Sequence, residues 1–299
     1  FTMATGLPRR DLVWSGAELT AEQLMESLAE LPVYGEIGQR FEYNNQVVST
    51  GGYVAALAAG GVYGQLDQAY SQQLRQRIFE PIGMQNATTA VEQVLANPNH
   101  ATPHDYNLSG EVSPTHFHAG DNITPAGGVY ASGLDLARFV LTQMNGGISP
   151  AGRRVVSAHN LAETHRSHTE VMAGLSYGMG WYIEQYRGVE VLWHDGNVFG
   201  FKAAMAVIPA ADIGLVVLSN SIMSITFNAG VQYRLVELLF DLPPEAEAEF
   251  DRRWEAFEQA IAEISGGVLP TVDPQAVAKF VGDYGDNWRV ELREDRLYA

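Results

Sequence analysis

Two short motifs hold side chains suited to moving a proton and steadying a developing negative charge. In Phe41-Glu42-Tyr43-Asn44-Asn45 a phenol lies two residues from a primary amide. In Trp193-His194-Asp195-Gly196-Asn197 an imidazole lies two residues from a glycine, amid strand-like runs. A phenol titrates near pH ~10, so Tyr43 takes a proton from an attacking hydroxyl or water only where neighbouring cations favour the phenolate. Asn45 offers two donors and an acceptor, enough to grip a substrate carbonyl, and in an extended segment it faces the same pocket as Tyr43. His194 is charged only below its own pKa. Gly196 lets substrate backbone come close, and the N–H of Asn197 is then the expected oxyanion donor. Each residue also has a plain structural reading: a packed aromatic, a turn-forming asparagine, a strand-end histidine.

Other groupings are weaker. His116-Phe117-His118 with Asp121 has two imidazoles close together, but no Cys/His cluster follows at ligand spacing, so a solvated or pocket-shaping loop is expected and no metal. Gly127-Gly128 lacks the Lys-Ser/Thr of a phosphate cradle and any dinucleotide pattern. No cofactor is expected.

The 299 residues, 46% hydrophobic and 18% charged, describe a globular chain with a large core of one large or two ordinary domains. A net charge of −17 excludes the basic face that nucleic acid or an anionic membrane requires. Cysteine is absent, so thiolate chemistry and disulfides are excluded and the redox compartment is left open. No apolar run is long enough to span a membrane. The expected location is the periplasm or the medium, with the cytoplasm an open alternative.

The positioning elements follow from periodicity. Thr20 with Gln23 forms a capping box ahead of a helix through Leu24, Leu28 and Leu31. A second helix ends before Pro81-Ile82-Gly83, and a second capping box, Ser132 with Asp135, opens a helix ending at Asn145-Gly146-Gly147. Between Asn97 and Gly128 periodicity fails and a long irregular loop is expected. From Tyr177 to Asn220 the chain reads as an antiparallel meander. Its run Ile213 to Leu218 is apolar on both faces, which predicts a central strand covered by helices. A helix near 231–240, an acidic helix over 245–264, a Ser265-Gly266-Gly267 linker and an alternating tail complete the chain.

Six blocks in this order resemble the serine β-lactamase-related family, in its class C and penicillin-binding-protein-like branch. Thr5-Gly6-Leu7-Pro8 is similar to its Ser-Gly-Leu-Pro, and Phe41 to Asn45 to its Tyr-x-Asn block. Ile78-Phe79-Glu80-Pro81-Ile82-Gly83-Met84 and Pro125-Ala126-Gly127-Gly128-Val129-Tyr130-Ala131-Ser132 resemble two further blocks. Tyr177-Gly178-Met179-Gly180-Trp181 and His194-Asp195-Gly196 complete the series. The resemblance implies an α+β, β-lactamase/DD-peptidase-like fold: an antiparallel sheet flanked by helices, with an α-helical subdomain. It implies a serine hydrolase that cleaves an ester or amide through an acyl-enzyme, as an esterase, D-amino-acid peptidase or β-lactamase. The catalytic set is then Tyr43, Asn45 and His194, with Gly196 and Asn197 at the oxyanion, and the partner is a small molecule or short peptide. Many relatives carry lysine where His194 stands, so the substrate is expected to lean less on a free carboxylate.

The family's Ser-x-x-Lys nucleophile motif does not occur in these residues, since the lysines, Lys202 and Lys279, follow Phe199 and Ala276 at that spacing. The expected organisation is a hydrolase domain over 1–242 lacking its nucleophile part, an acidic helix and linker over 243–270, and the beginning of a small C-terminal β-domain over 271–299. In the family the nucleophile helix backs the sheet. Without it, the apolar side chains of 213–218 are expected to lose cover worth about 25 cal/mol per Å², and the segment alone is not expected to fold into an active monomer. A binding or sensor protein on the same scaffold, without the nucleophile, is the rival reading, and metal-dependent hydrolysis through His116 and His118 a third.

Overall fold

The computed structural model describes residues 1–10, 19–106, 111–115, 117, 122–221, 224–267, 271–284, 288–293 and 296–298. His116, His118 and Asp121 lie outside these residues. The helical part begins with α1 (Ala21–Glu26), whose Thr20–Gln23 capping box is formed on both sides, and which tightens into a 3₁₀ turn over Ser27–Glu30. Helix α2 (Asn45–Ala58) and α3 (Leu66–Leu74) pack with α1 through Ala21, Tyr53 and Leu66. After α3 the helix widens over Arg75–Phe79 and stops at Gly83, left-handed at φ 85°. Helix α4 (Val91–Ala96) follows. The stretch expected to be irregular holds a small hairpin, β1 (His104–Tyr106) with β2 (Val112–Pro114), and one helical turn, α5 (Thr124–Gly127). Strands of three residues are too short for alternation to show in sequence.

Helix α6 (Gly133–Met144) starts at the Ser132–Asp135 capping box, and α7 (Ala158–Thr164) at the cap of Ser157. Six antiparallel strands then pair in chain order: β3 (Thr169–Met172), β4 (Leu175–Tyr177), β5 (Tyr182–Tyr186), β6 (Val189–Val198), β7 (Phe201–Ile208) and β8 (Ile213–Ser219). Val189, Val191, Ala206 and Ile208 bury one face of the sheet against Val236 of α8 (Ile225–Leu239). Leu192 and Val207 bury the other face against Val140 of α6 and Trp181. The sheet is therefore the middle layer between α6 and α8.

Strand β8 does not take the central position expected of it. Among the described residues it is an edge strand, paired only with β7. Its two apolar faces report the helices above and below: Val216 joins the α6 cluster and Leu215 the α8 cluster. Sideways position is set by chain order instead. The cover expected to be missing from 213–218 is supplied largely by α6 and α8, although Leu218 stays 41% exposed.

The helix expected near 231–240 starts earlier, at Ile225, and the acidic helix α9 (Glu245–Gly267) runs through the expected Ser265–Gly267 linker. Glycine lowers helix propensity by about 1 kcal/mol but does not by itself end a helix already formed. Glu237, 1% exposed at the end of α8, accepts the N–H groups of Glu245 and Ala246 at 2.9 and 2.8 Å and the Tyr186 hydroxyl at 2.9 Å, which ties α9 to α8 and β5. The tail forms a separate antiparallel sheet of β9 (Gly282–Tyr284), β10 (Trp288–Arg293) and β11 (Arg296–Tyr298). No helix among the described residues is long and apolar enough to cross a membrane.

Candidate active site

Asn44 fixes the first half of the site. Its Oδ1 accepts the N–H of Val47 at 3.1 Å and caps α2, while its Nδ2 donates to the Pro8 carbonyl at 2.9 Å. Glu42 donates its N–H to the Met3 carbonyl at 2.7 Å. The Thr5–Pro8 and Tyr43–Asn45 blocks, separate in sequence, are thus held side by side. One result is that the Arg9 guanidinium carbon lies 5.6 Å from the centroid of the Tyr43 ring. A cation over an aromatic face is attracted by the ring, and it also favours negative charge on the phenol oxygen.

The extended Tyr43–Asn45 path expected from sequence ends one residue early. Asn44 is extended, at φ −145° and ψ 104°, but Asn45 is already the first residue of α2. Alternation along a strand therefore does not relate Asn45 to Tyr43. The capping asparagine is the buried one, 2% exposed, and Asn45 is half-buried.

The second half of the site is the far end of β6. The strand runs through the His-x-Gly motif rather than stopping before it. It pairs with β5 only as far as Trp193, opposite Tyr182, and continues against β7 alone to Val198. Val198 and Phe201 flank the two-residue turn Phe199-Gly200, both at positive φ, 26° and 78°. Such a turn matches the twist of a tight hairpin. At Gly200 it also needs the missing side chain, because a Cβ there would lie 2.8 Å from the His104 nitrogen. With Val198 and Phe201 opposite each other across a two-residue turn, where the closing pair is the hydrogen-bonded one, antiparallel alternation is expected to turn the N–H of Asn197 away from β7, toward the flank where β5 has ended. That is the geometry an oxyanion donor needs.

The two halves meet. The ring centroids of Tyr43 and His194 are 6.3 Å apart. His194 Nδ1 lies 2.7 Å from the carbonyl oxygen of Asp195, and its Nε2 3.0 Å from the Tyr177 hydroxyl. Phe41, Tyr177 and Tyr182 form an aromatic wall around it, with centroids of 5.4 Å for Phe41–Tyr177, 4.8 Å for Tyr177–Tyr182 and 5.5 Å for Tyr182–His194. Trp193 stacks on the Tyr182 ring at 4.5 Å. Burial among these rings pushes the His194 pKa below its usual value, against a smaller upward pull from the Asp195 carbonyl and carboxylate. Burial likewise raises the Tyr177 phenol, with the nearby Tyr43 adding to the effect, and pushes Tyr182 up to about 12. Gly127 of α5 closes another side, within 3.5 Å of Val198 at its Cβ position.

The sequence points to Tyr43, Asn45, His194, Gly196 and Asn197, but not to Asn44, Arg9, Tyr177 or Tyr182. Tyr177 stood in a recognised block without a role. Arg9 directly follows the Thr5–Pro8 block, which was the available signal for it.

An antiparallel sheet between helices, with a helical subdomain presenting a tyrosine to the rim of a His-x-Gly strand, defines a β-lactamase/DD-peptidase-like fold. The Beta-lactamase family model matches residues 1–234, and the chain belongs to that family. It is 23% identical over 311 residues to Unguisins hydrolase ungD' of Aspergillus campestris, covering 97% of this chain and 56% of that protein. Among solved structures it is similar to the octameric penicillin-binding protein homologue from Pyrococcus abyssi, with TM-score 0.66, 23% identity, and coverage of 82% of this chain and 55% of that one. It is also similar to D-amino acid amidase from Ochrobactrum anthropi SV3, with TM-score 0.56, 21% identity, and coverage of 74% and 62%. The chain thus spans about half the length of the first two relatives.

Proposed function

We propose that this chain carries the proton-transfer and oxyanion half of a serine hydrolase acting on an ester or amide, with the nucleophilic serine and its lysine supplied from outside these residues. In the first step the serine oxygen bonds to the substrate carbonyl carbon, and the serine proton passes to the Tyr43 oxygen. As the carbonyl re-forms, the bond to the leaving alcohol or amine breaks and Tyr43 returns the proton to it. Water then attacks the acyl-enzyme by the same route in reverse and frees the acid. The Asn197 N–H steadies the oxyanion, and Arg9 over the Tyr43 ring favours its charged form. Asn45 and His194 position the substrate, which is a small molecule or short peptide. The observation that carries this reading is the meeting of Tyr43 and His194 at the end of β6 that extends beyond β5.

The test uses the full-length protein with a fluorophosphonate probe, p-nitrophenyl esters, D-amino-acid amides and nitrocefin. Labelling is expected, and Tyr43→Phe should slow acylation on the order of a hundredfold or more. Labelling that Tyr43→Phe leaves untouched overturns the role given to the phenol. The lack of Ser-x-x-Lys in these 299 residues favours one other reading, a binding protein on the same scaffold. A full-length sequence without that motif, together with no labelling, decides for it.

A further inference from the structure

We propose that Tyr177 is a positioning residue that locks His194 as a neutral imidazole with its proton on Nδ1, and that Arg9 carries the positive charge at Tyr43 in its place. The lock follows from what each ring nitrogen faces. A carbonyl oxygen only accepts, so Nδ1, 2.7 Å from the Asp195 oxygen, must carry a hydrogen. In the neutral ring Nε2 is then a bare lone pair, and the Tyr177 hydroxyl donates to it at 3.0 Å. Protonating Nε2 would put two donors face to face. The hydroxyl would have to rotate away, and Tyr177 is 1% exposed in an aromatic wall, where a turned-away proton has no water to meet.

The surroundings agree. The rings of Tyr43, Tyr177, Tyr182 and Trp193 crowd the imidazole and its strand neighbour, and among the described residues the charged groups on this site are the Asp195 carboxylate, Arg9 and, through Asp195, Lys202. Burial outweighs Asp195 and keeps the histidine uncharged. The cation over Tyr43 is a guanidinium rather than an imidazole, so it does not depend on histidine titration. With both nitrogens of His194 engaged inside the protein, its ring offers a substrate neither a charge nor a free donor. It serves as a fixed wall beside Tyr43. The site is then suited to acyl groups that are neutral where they meet His194. The lock stands on geometry alone, and its kinetic consequence rests on the hydrolase reading.

Nitrogen-15 NMR of the imidazoles between pH 5 and 8 tests the lock without any turnover. The expected result is His194 with a protonated Nδ1 and a bare Nε2, and an inflection below its ordinary 6.5. In Tyr177→Phe the inflection should move up toward that value and the tautomers should mix. On the hydrolase reading, the same variant of the full-length enzyme gains a fall in kcat/KM on the acid side that the parent lacks. Arg9→Gln should lower kcat/KM about tenfold or more at every pH without moving the His194 signals, with Arg9→Lys restoring part of it. A parent His194 protonated on Nε2, or titrating at 6.5, overturns the proposal even if Tyr177→Phe fails to fold. So does a folded Tyr177→Phe protein with unaltered imidazole signals. Normal NMR results without activity leave the lock standing and count against the hydrolase reading instead.

Discussion

Asn44 ties three segments with one amide: it caps α2, holds the Pro8 carbonyl and sets the residue before it, Tyr43. Losing the cap costs about 1 kcal/mol, and leaving the half-buried Pro8 carbonyl without its donor costs up to about another. Asn44→Ala should therefore destabilise the protein by roughly 2 kcal/mol in urea unfolding. Asn44→Asp keeps the capping oxygen but sets a second oxygen against Pro8, and should recover only the cap's share. None of this was legible in Asn44-Asn45, where either residue could turn the chain. A cap is recognised by the helix that follows it, and this helix opens on Asn45-Gln46-Val47 rather than on a clear amphipathic stripe. Tyr43 and His194 were legible because their neighbours formed recognisable blocks. The Tyr177–His194 bond was not, since a hydroxyl-to-imidazole contact depends on side-chain direction across a sheet edge.

At the scale of elements, α6 lies on β8 closely enough to dictate a glycine. A Cβ added at Gly214 would run into Val140 Cγ1 and lie 2.8 Å from Met144 Sδ. Val140 is 2% exposed and has little room to retreat. Gly214→Ala should cost about 1–3 kcal/mol by overpacking, although alanine is ordinarily the better residue in a strand. Thermal unfolding of the variant checks this, and an unchanged or raised midpoint would contradict the packing described. The capping boxes at Thr20 and Ser132 were readable because their signal is local, four residues long and chemically specific. The place of β8 was not. Being apolar on both faces tells how many helices cover a strand, and it is silent on how many strands flank it. The ends of α8 and α9 escaped for a related reason, since composition marks where a helix is weak and tertiary packing decides whether it continues.

Across the whole molecule, two half-buried histidines, each with its pKa lowered, predict that stability depends on acid. His194 sits in the aromatic wall, and His165 lies 5.4 Å edge-on to Trp181 of the cluster between the sheet and α6. Burial lowers both pKa values from 6.5. Unfolded, each takes up a proton as pH falls through about 6.5; folded, each resists until lower pH. The unfolded chain thus binds more protons in that window, and stability is lost on the acid side. Their contribution should be complete above pH 7 and should shrink steadily from there toward pH 5. Urea midpoints across that range measure it, and His165→Gln should flatten part of the slope. A midpoint that stays level from pH 7 to 5 would argue that neither ring is held neutral.

Strand pairing in chain order has a kinetic meaning. Every partner in the six-stranded sheet is the next strand along, so the sheet can zip up through successive hairpins with little loop-closure entropy to overcome. Bringing Tyr43 to His194 joins residues far apart in the chain, and the amino-terminal segment is held there in part by the bond from Thr169 Oγ1 to the Thr2 carbonyl at 2.9 Å. On loop-closure grounds the pocket is therefore expected to form after the sheet, and refolding followed by a pocket probe should lag refolding followed by strand content.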